Sequence, residues 1–390
     1  MRVALLADRF PPDPGGLAVA AARIARQLAE VGAAVEVFAL AADLAPGAQR
    51  LEEMGEMVPV WRLGPAREAE ETQALLFERL CARHNEAPFD VLHGLYLVRS
   101  GFLAAYAGRY LGVPSVVSAR GNDLDRAVHD PSRAAHVLRA LDLADAVTAV
   151  SADLARKARA LSPQARVEVV PNGVDTWVFH PVAPDEELRS TLELGGRAVV
   201  GFSGELRHKK GVTTLLPALA KLAETRPVTL LAAGGVRADA TGYVELFQRR
   251  HPEVRLALLP HREGPALPPV YALMDVFVHP SLRDGMPNAL LEAMACGRPV
   301  VGADAGGIPD AMGEGCGVRV APGDVEALAA AIDSLLDDPA RAAALGEAAR
   351  ARVAREFTPE REARRYLSLF RELRETPRTA REAAAALATR

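Results

Sequence analysis

A chain of 390 residues exceeds what one ordinary hydrophobic core supports, so two domains are the starting expectation. Hydrophobic and charged fractions of 49% and 25% are those of a soluble globular protein and exclude a disordered chain. A formal charge of -4 gives no basic excess for nucleic acid, and no apolar run reaches the length of a membrane span.

From the start, Met1-Arg2-Val3 leads into a strand pattern rather than a secretory signal. Residues 3–7 are a short apolar run, followed by a loop holding Pro11, Pro12, Pro14, Gly15 and Gly16. The pattern predicts a helix over 17–31 and strands at 34–40, 91–93, 115–118, 146–150 and 167–170, with Ser151 capping a helix that runs to residue 160. A second series of strands is predicted at 198–203, 228–232, 254–258, 276–279, 299–302 and 318–320. Such alternation predicts an α/β fold of two doubly wound, Rossmann-like domains facing each other across a cleft. Residues 175–192 contain Pro181 and Pro184 and carry no period. They read as a linker (176–192) between a first domain at 1–180 and a second at 193–360, with ligands expected at the carboxyl ends of the strands. Cys81, Cys296 and Cys316 are odd in number and lack a CxxC pair, which fits reduced thiols in a cytoplasm.

Three features at predicted strand ends carry chemistry. Gly15 and Gly16 permit close approach of a ligand to a helix start, or make a tight turn; they are not the GxGxxG dinucleotide fingerprint. Gly204-Glu205-Leu206-Arg207-His208-Lys209-Lys210-Gly211 places cations after a glycine turn, which suits a polyanion such as a diphosphate or makes a solvated basic loop; its place at a strand end favours the first. Arg207 and Lys210 are its candidates, and Lys209 reads as solvent-facing. Third, Asp284 opens a loop and Glu292 lies about two turns into an Ala/Leu/Met helix that Pro287 begins and Gly297 ends. A carboxylate on so apolar a helix needs a partner, either a ligand hydroxyl or an Arg of the protein.

With these segments, Leu291-Glu292-Ala293-Met294-Ala295-Cys296-Gly297, Gly306-Gly307-Ile308-Pro309-Asp310, Asp90-Val91-Leu92-His93 and Pro171-Asn172-Gly173-Val174-Asp175 make nearly the whole chain resemble the GT-B fold retaining glycosyltransferases of family 4. The resemblance implies transfer of a sugar from a nucleotide-diphosphate donor, UDP- or GDP-linked, to a saccharide, lipid-linked or small-molecule acceptor, with retention and without a metal ion. It implies catalytic roles for Arg207, Lys210, Asp284 and Arg120. Lys210 matches the family's diphosphate-binding lysine, whereas the family's arginine position is here Glu205, with Arg207 two residues on. The family's E-x7-E acids correspond to Asp284, facing the donor sugar, and Glu292, holding ribose hydroxyls. Gly15, Gly16, Gly204, Gly285, Met286, Pro287 and Asn288 complete the donor side. Many members carry a histidine where this chain has Arg120, so the acceptor side is expected to hold Arg120, Asn122 and Asp123, with His93 beside them.

Bland readings stand next to these. Asp123 also fits a helix cap, Arg120 a structural ion pair, and His93 a packed strand histidine; His279 is expected to shape a loop. Asp123-Leu124-Asp125 matches a DxD pattern, yet no metal site is assigned to it. The Arg-rich tail is expected as a helix at about 360–390 packing on the first domain, with peripheral contact to anionic lipid as a further option. The competing functions are a nucleotide-sugar isomerase or phosphorylase on the same fold, and a non-catalytic sugar-nucleotide binder.

Overall fold

β1 (Arg2–Ala7) is an almost unbroken apolar run, the pattern of a strand covered on both faces. In the computed structural model, which describes residues 1–55, 58–262 and 264–376, it lies within an eight-stranded sheet. The other strands are β2 (Ala34–Leu40), β3 (Gln49–Met54), β4 (Val58–Leu63), β5 (Val91–Leu95), β6 (Ser115–Ala119), β7 (Ala146–Ala149) and β8 (Val167–Val169). Their order is β3-β4-β2-β1-β5-β6-β7-β8, parallel apart from the β3–β4 pair. Val3 pairs with Val35 on one side and Val91 on the other, so the chain reverses its direction of travel across the sheet beside β1. Strands β3 and β4 were not foreseen: β3 is a largely exposed, charged edge and β4 contains Pro59, so neither presents an apolar alternation.

This sheet belongs to a unit formed by Met1–Gly173 and the segment from Pro359 onward. The helix Pro359–Glu375 returns to it with an apolar stripe, burying Tyr366, Leu367, Leu369, Phe370 and Leu373 in the same cluster as Val3, Leu5, Ile24 and Leu28. A buried ion pair fixes its angle. Arg23, on the helix Gly16–Glu30, donates to both carboxylate oxygens of Glu362 at 2.9 and 3.2 Å, and Gly173 N–H donates to the same group at 3.0 Å. Residues 377–390 of the predicted tail helix lie outside the described residues.

The second unit is Val174–Thr358. Its sheet is wholly parallel: β9 (Ala198–Ser203), β10 (Val228–Ala233), β11 (Arg255–Leu259), β12 (Val276–His279), β13 (Val300–Ala303) and β14 (Val318–Val320), in the order β11-β10-β9-β12-β13-β14. β9 and β12 flank the point where strand order reverses, which is where such sheets bind ligands. The chain passes between units after Gly173 and after Thr358, so residues 176–192, predicted as a linker, belong to the second unit. Phe179 is buried there with its ring 6.5 Å from that of Tyr271.

Candidate active site

β9 ends at Ser203 and delivers the basic loop; β12 ends at His279 and delivers the acidic one. The two loops are joined through their backbones. Leu282 N–H donates to the Lys209 carbonyl at 3.0 Å, and Gly211 (φ 77°) lies so close to Pro280 that a Cβ there would sit 2.0 Å from the Pro280 oxygen. From the other side, Gly307 N–H donates to the Asp284 carbonyl at 2.8 Å, and a Cβ at Gly306 (φ 57°) would sit 2.1 Å from the same oxygen. Asp284 is therefore placed by a rigid backbone frame rather than by a free loop.

Within that frame Lys210 Nζ donates to Asp284 Oδ2 at 2.5 Å, and His279 Nε2 lies 3.2 Å from the same oxygen. Ser281 Oγ is 3.1 Å from His279 Nε2. Burial pushes the Asp284 carboxyl up, but the Lys210 charge and the His279 hydrogen bond outweigh it and hold the group well below the usual carboxylate range. One oxygen of Asp284, expected to face the donor sugar, is thus engaged by the protein. His279, expected only to shape the loop, is the residue that holds this acid.

Glu292 sits on the helix Asn288–Ala295 and has the partner that its apolar setting demanded. Its Oε2 accepts from the hydroxyl of the fully buried Tyr271 at 2.8 Å. Pro287 is the residue just before that helix rather than its first turn, and Gly297 (φ 69°) follows its end. Gly285, Met286 and Pro287 are buried between Asp284 and the helix. Arg207 faces Glu205 at 3.8 Å, and Glu205 also meets Arg237, from the glycine loop after β10, at 3.8 Å. Glu205, at the family's arginine position, thus holds two cations loosely instead of supplying one.

In the first unit the candidates separate. His93 lies inside β5, which runs on to Leu95, and is fully buried. Its Nε2 pairs with Ser118 Oγ at 2.8 Å and its ring packs 4.7 Å from Tyr366 and 5.4 Å from Phe370. Burial, with the Arg120 charge adding, lowers its pKa to about 3. His93 is a packed core histidine, and the acceptor-side assignment is withdrawn. Asp123 is fully buried as well; its carboxylate accepts N–H groups from Arg120 (2.9 Å), Gly121 (2.8 Å) and Leu124 (3.1 Å). It shapes its own loop, so it too leaves the acceptor side, while Asp125 of the same DxD pattern pairs with Lys157 at 2.7 Å.

Arg120 donates from Nη2 to Asn172 Oδ1 at 2.7 Å, while its buried Nη1 finds no partner among the described residues. Asn122 begins a short helix, Asn122–Asp125, and is half-buried. Gly15 (φ 109°) immediately precedes the helix Gly16–Glu30, and a Cβ there would meet nothing within 4 Å, so the backbone is open on that side. Among the described residues no helix is long and apolar enough to cross a membrane. Sequence reasoning missed Tyr271, Arg237 and the role of His279. Only Tyr271 had a signal, namely the demand of Glu292 for a buried partner.

Two doubly wound sheets, with a cation loop meeting the Asp284 loop at the switch point of the second, are the arrangement expected of a GT-B type sugar transferase. The family profile for glycosyl transferases group 1 matches residues 184–352, and that for a glycosyl transferase 4-like domain matches residues 15–173. A D-inositol 3-phosphate glycosyltransferase from Thermobispora bispora is 32% identical over 376 residues, covering 88% of this chain and 86% of that protein. An alpha-maltose-1-phosphate synthase from Mycolicibacterium smegmatis is 34% identical over 253 residues, 60% of this chain and 65% of that one, so the match spans just under two thirds of that relative's length. Among solved structures, sucrose-phosphate synthase from Thermosynechococcus elongatus matches with a TM-score of 0.78 at 24% identity, covering 95% of this chain and 98% of that chain. The chain belongs to the group 1, family 4-like glycosyltransferases of the GT-B fold and is a transferase of sugar.

Proposed function

We propose that the second unit binds a nucleotide-diphosphate sugar and that its glycosyl group passes, with retention of configuration and without a divalent ion, to an acceptor hydroxyl. The 2.5 Å contact between Lys210 and Asp284 carries this reading, because it joins the basic loop to the acidic one in one site. In it Lys210 and Arg207 meet the diphosphate, Asp284 and the Gly285–Asn288 segment meet the sugar, and Glu292 meets the ribose hydroxyls. Breaking the sugar–phosphate bond leaves negative charge on the leaving diphosphate, which these cations stabilise without reorganising. Asp284 is ionised and lies on the same loop as the amides that approach the sugar, which suits hydroxyl binding. The hydroxyl of Ser281 faces His279 Nε2, but that nitrogen already faces Asp284, so among the described residues of the second unit's site no hydroxyl meets a free base, which favours same-face attack in which the leaving phosphate takes the acceptor's proton.

On the acceptor side, Arg120 keeps a buried Nη1 for an acceptor oxygen and Asn122 offers a half-buried amide. The test is incubation with a panel of UDP- and GDP-sugars, with and without candidate acceptors, in buffer with and without chelator. Nucleotide release that requires acceptor, survives the chelator and yields a product of unchanged anomeric configuration by NMR is expected. An inverted product, or activity lost to the chelator, refutes the corresponding part of the proposal.

A further inference from the structure

His279 is 0% exposed at the end of β12 and is not one of the acid or cation positions that define the site. Its Nε2 lies 3.2 Å from Asp284 Oδ2 and 3.1 Å from Ser281 Oγ, whereas its Nδ1 has no partner among the described residues. These contacts determine the proton. A hydrogen on Nδ1 would be a buried donor without an acceptor, and would leave the Nε2 lone pair facing a carboxylate. A hydrogen on Nε2 instead points at the carboxylate and costs nothing at Nδ1 beyond a dry acceptor. The tautomer assigned from these partners is Nε2–H, neutral. The charged groups facing the ring are Asp284, Lys210 and Lys209; burial acts first to disfavour the imidazolium, the lysines add to it, and Asp284 opposes.

We infer that His279 is a positioning residue, an Nε2–H donor that holds Asp284 Oδ2 so that the carboxylate keeps Lys210 aimed and turns its other oxygen, Oδ1, toward the donor sugar. The chain's aspartate is one methylene shorter than the glutamate of its relatives' motif, and it is also anchored at one oxygen by a lysine and a histidine. Its reach toward the sugar is therefore set by the His279 ring rather than by side-chain length. The inference rests on the reading of Lys210 and Asp284 as donor-site residues.

The experiment combines imidazole nitrogen NMR on the whole protein with donor kinetics for His279→Gln, His279→Leu and Lys210→Ala. Gln can present an amide N–H near the Nε2 position, whereas Leu fills the space without a donor. The expected results are an Nε2–H tautomer, a kcat/KM lowered about 100-fold in His279→Leu, as for a misplaced reacting group, and recovery of most of that loss in His279→Gln. An Nδ1–H tautomer overturns the inference even if the variants do not fold. Wild-type kinetics in His279→Leu beside an inactive Lys210→Ala overturns the positioning role alone and leaves the donor site standing. Unchanged donor affinity in Lys210→Ala overturns the donor site itself, and the positioning role with it.

Discussion

Replacing Gly211 with alanine tests whether the two loops of the donor site are held by backbone contact. The added Cβ would lie 2.0 Å from the Pro280 oxygen and 2.8 Å from its carbonyl carbon, both backbone atoms that no side-chain rotation relieves. Ordinary contact between such atoms is about 3.5 Å, so the loops must part by more than about 1 Å. The φ of 77° adds the left-handed cost of about 1–2 kcal/mol for a residue with a Cβ. A shift of that size carries the neighbouring Lys210 away from Asp284, and misplacement by 1 Å at a reacting centre costs about 100-fold. Gly211→Ala is therefore expected to lower donor kcat/KM about 100-fold and to lose more stability than Gly235→Ala, where φ is 75° but a Cβ meets nothing within 4 Å. Urea denaturation and donor kinetics measure the two quantities, and donor titration by calorimetry follows the affinity. Equal stability losses in the two variants, with donor affinity intact in Gly211→Ala, would show that the loop contact does not control the site.

Asp284 has a depressed folded pKa, so the stability it contributes is present above the unfolded carboxylate value, about 3.9, and is lost as pH falls through the lower folded value. Lys210→Met removes the charge chiefly responsible for the lowering, leaving burial to push the carboxyl up; the stability gap to wild type is expected to be widest near neutrality and to narrow progressively as pH falls below about 4 toward the lower folded value, read from urea midpoints across pH. His93 has the same sign for a different reason. Its neutral form is favoured in the fold, so its contribution is full above about 6.5 and is lost on acidification toward about 3. His93→Gln should flatten the stability slope in that window by up to about 1.4 kcal/mol per pH unit. Glu362→Ala orphans the buried Arg23 and is expected to cost about 3–5 kcal/mol in chemical denaturation, while the double change Arg23→Met with Glu362→Leu recovers most of it; additive losses in the double variant would refute the ion-pair account.

The alternation of apolar runs located the strands of both sheets wherever the strand is covered on two faces, because burial then leaves no polar positions to break the run. β2, β9 and β12 coincide with their predicted bounds for that reason. β3 and β4 escaped because an exposed edge can hold Gln, Arg and Glu, and its neighbour tolerates Pro59. The division between units was also displaced. Residues 175–192 lack an apolar period because the one helix there, Glu186–Thr191, is short and buries no residue, while Phe179 is buried in the irregular stretch before it; the absence of a period does not distinguish such a segment of the second unit from a free linker.

The site was legible at the level of residue type and strand position, and illegible at the level of who pairs with whom. Lys210 and Asp284 are 74 positions apart, and only the adjacency of β9 and β12 at the switch point brings them to 2.5 Å. Asp123 and His93 looked like site residues because they end or follow strands, yet burial turned both inward, one to backbone amides and one beneath the helix Pro359–Glu375. The reverse holds for His279, whose sequence context at a strand end before Pro280-Ser281 matches that of a loop-shaping residue. Shaping the loop is the means by which it acts: the same ring that terminates β12 donates to the acid, and the acid receives the lysine. The substitution of Asp for Glu at position 284 is therefore to be judged together with His279 and Lys210. Asp284→Glu should not restore a family-like donor site, because the longer carboxylate would have to give up His279 or push Lys210 aside. Donor kinetics of Asp284→Glu check this: a variant with improved kcat/KM would mean that reach, and not anchoring, limits this acid.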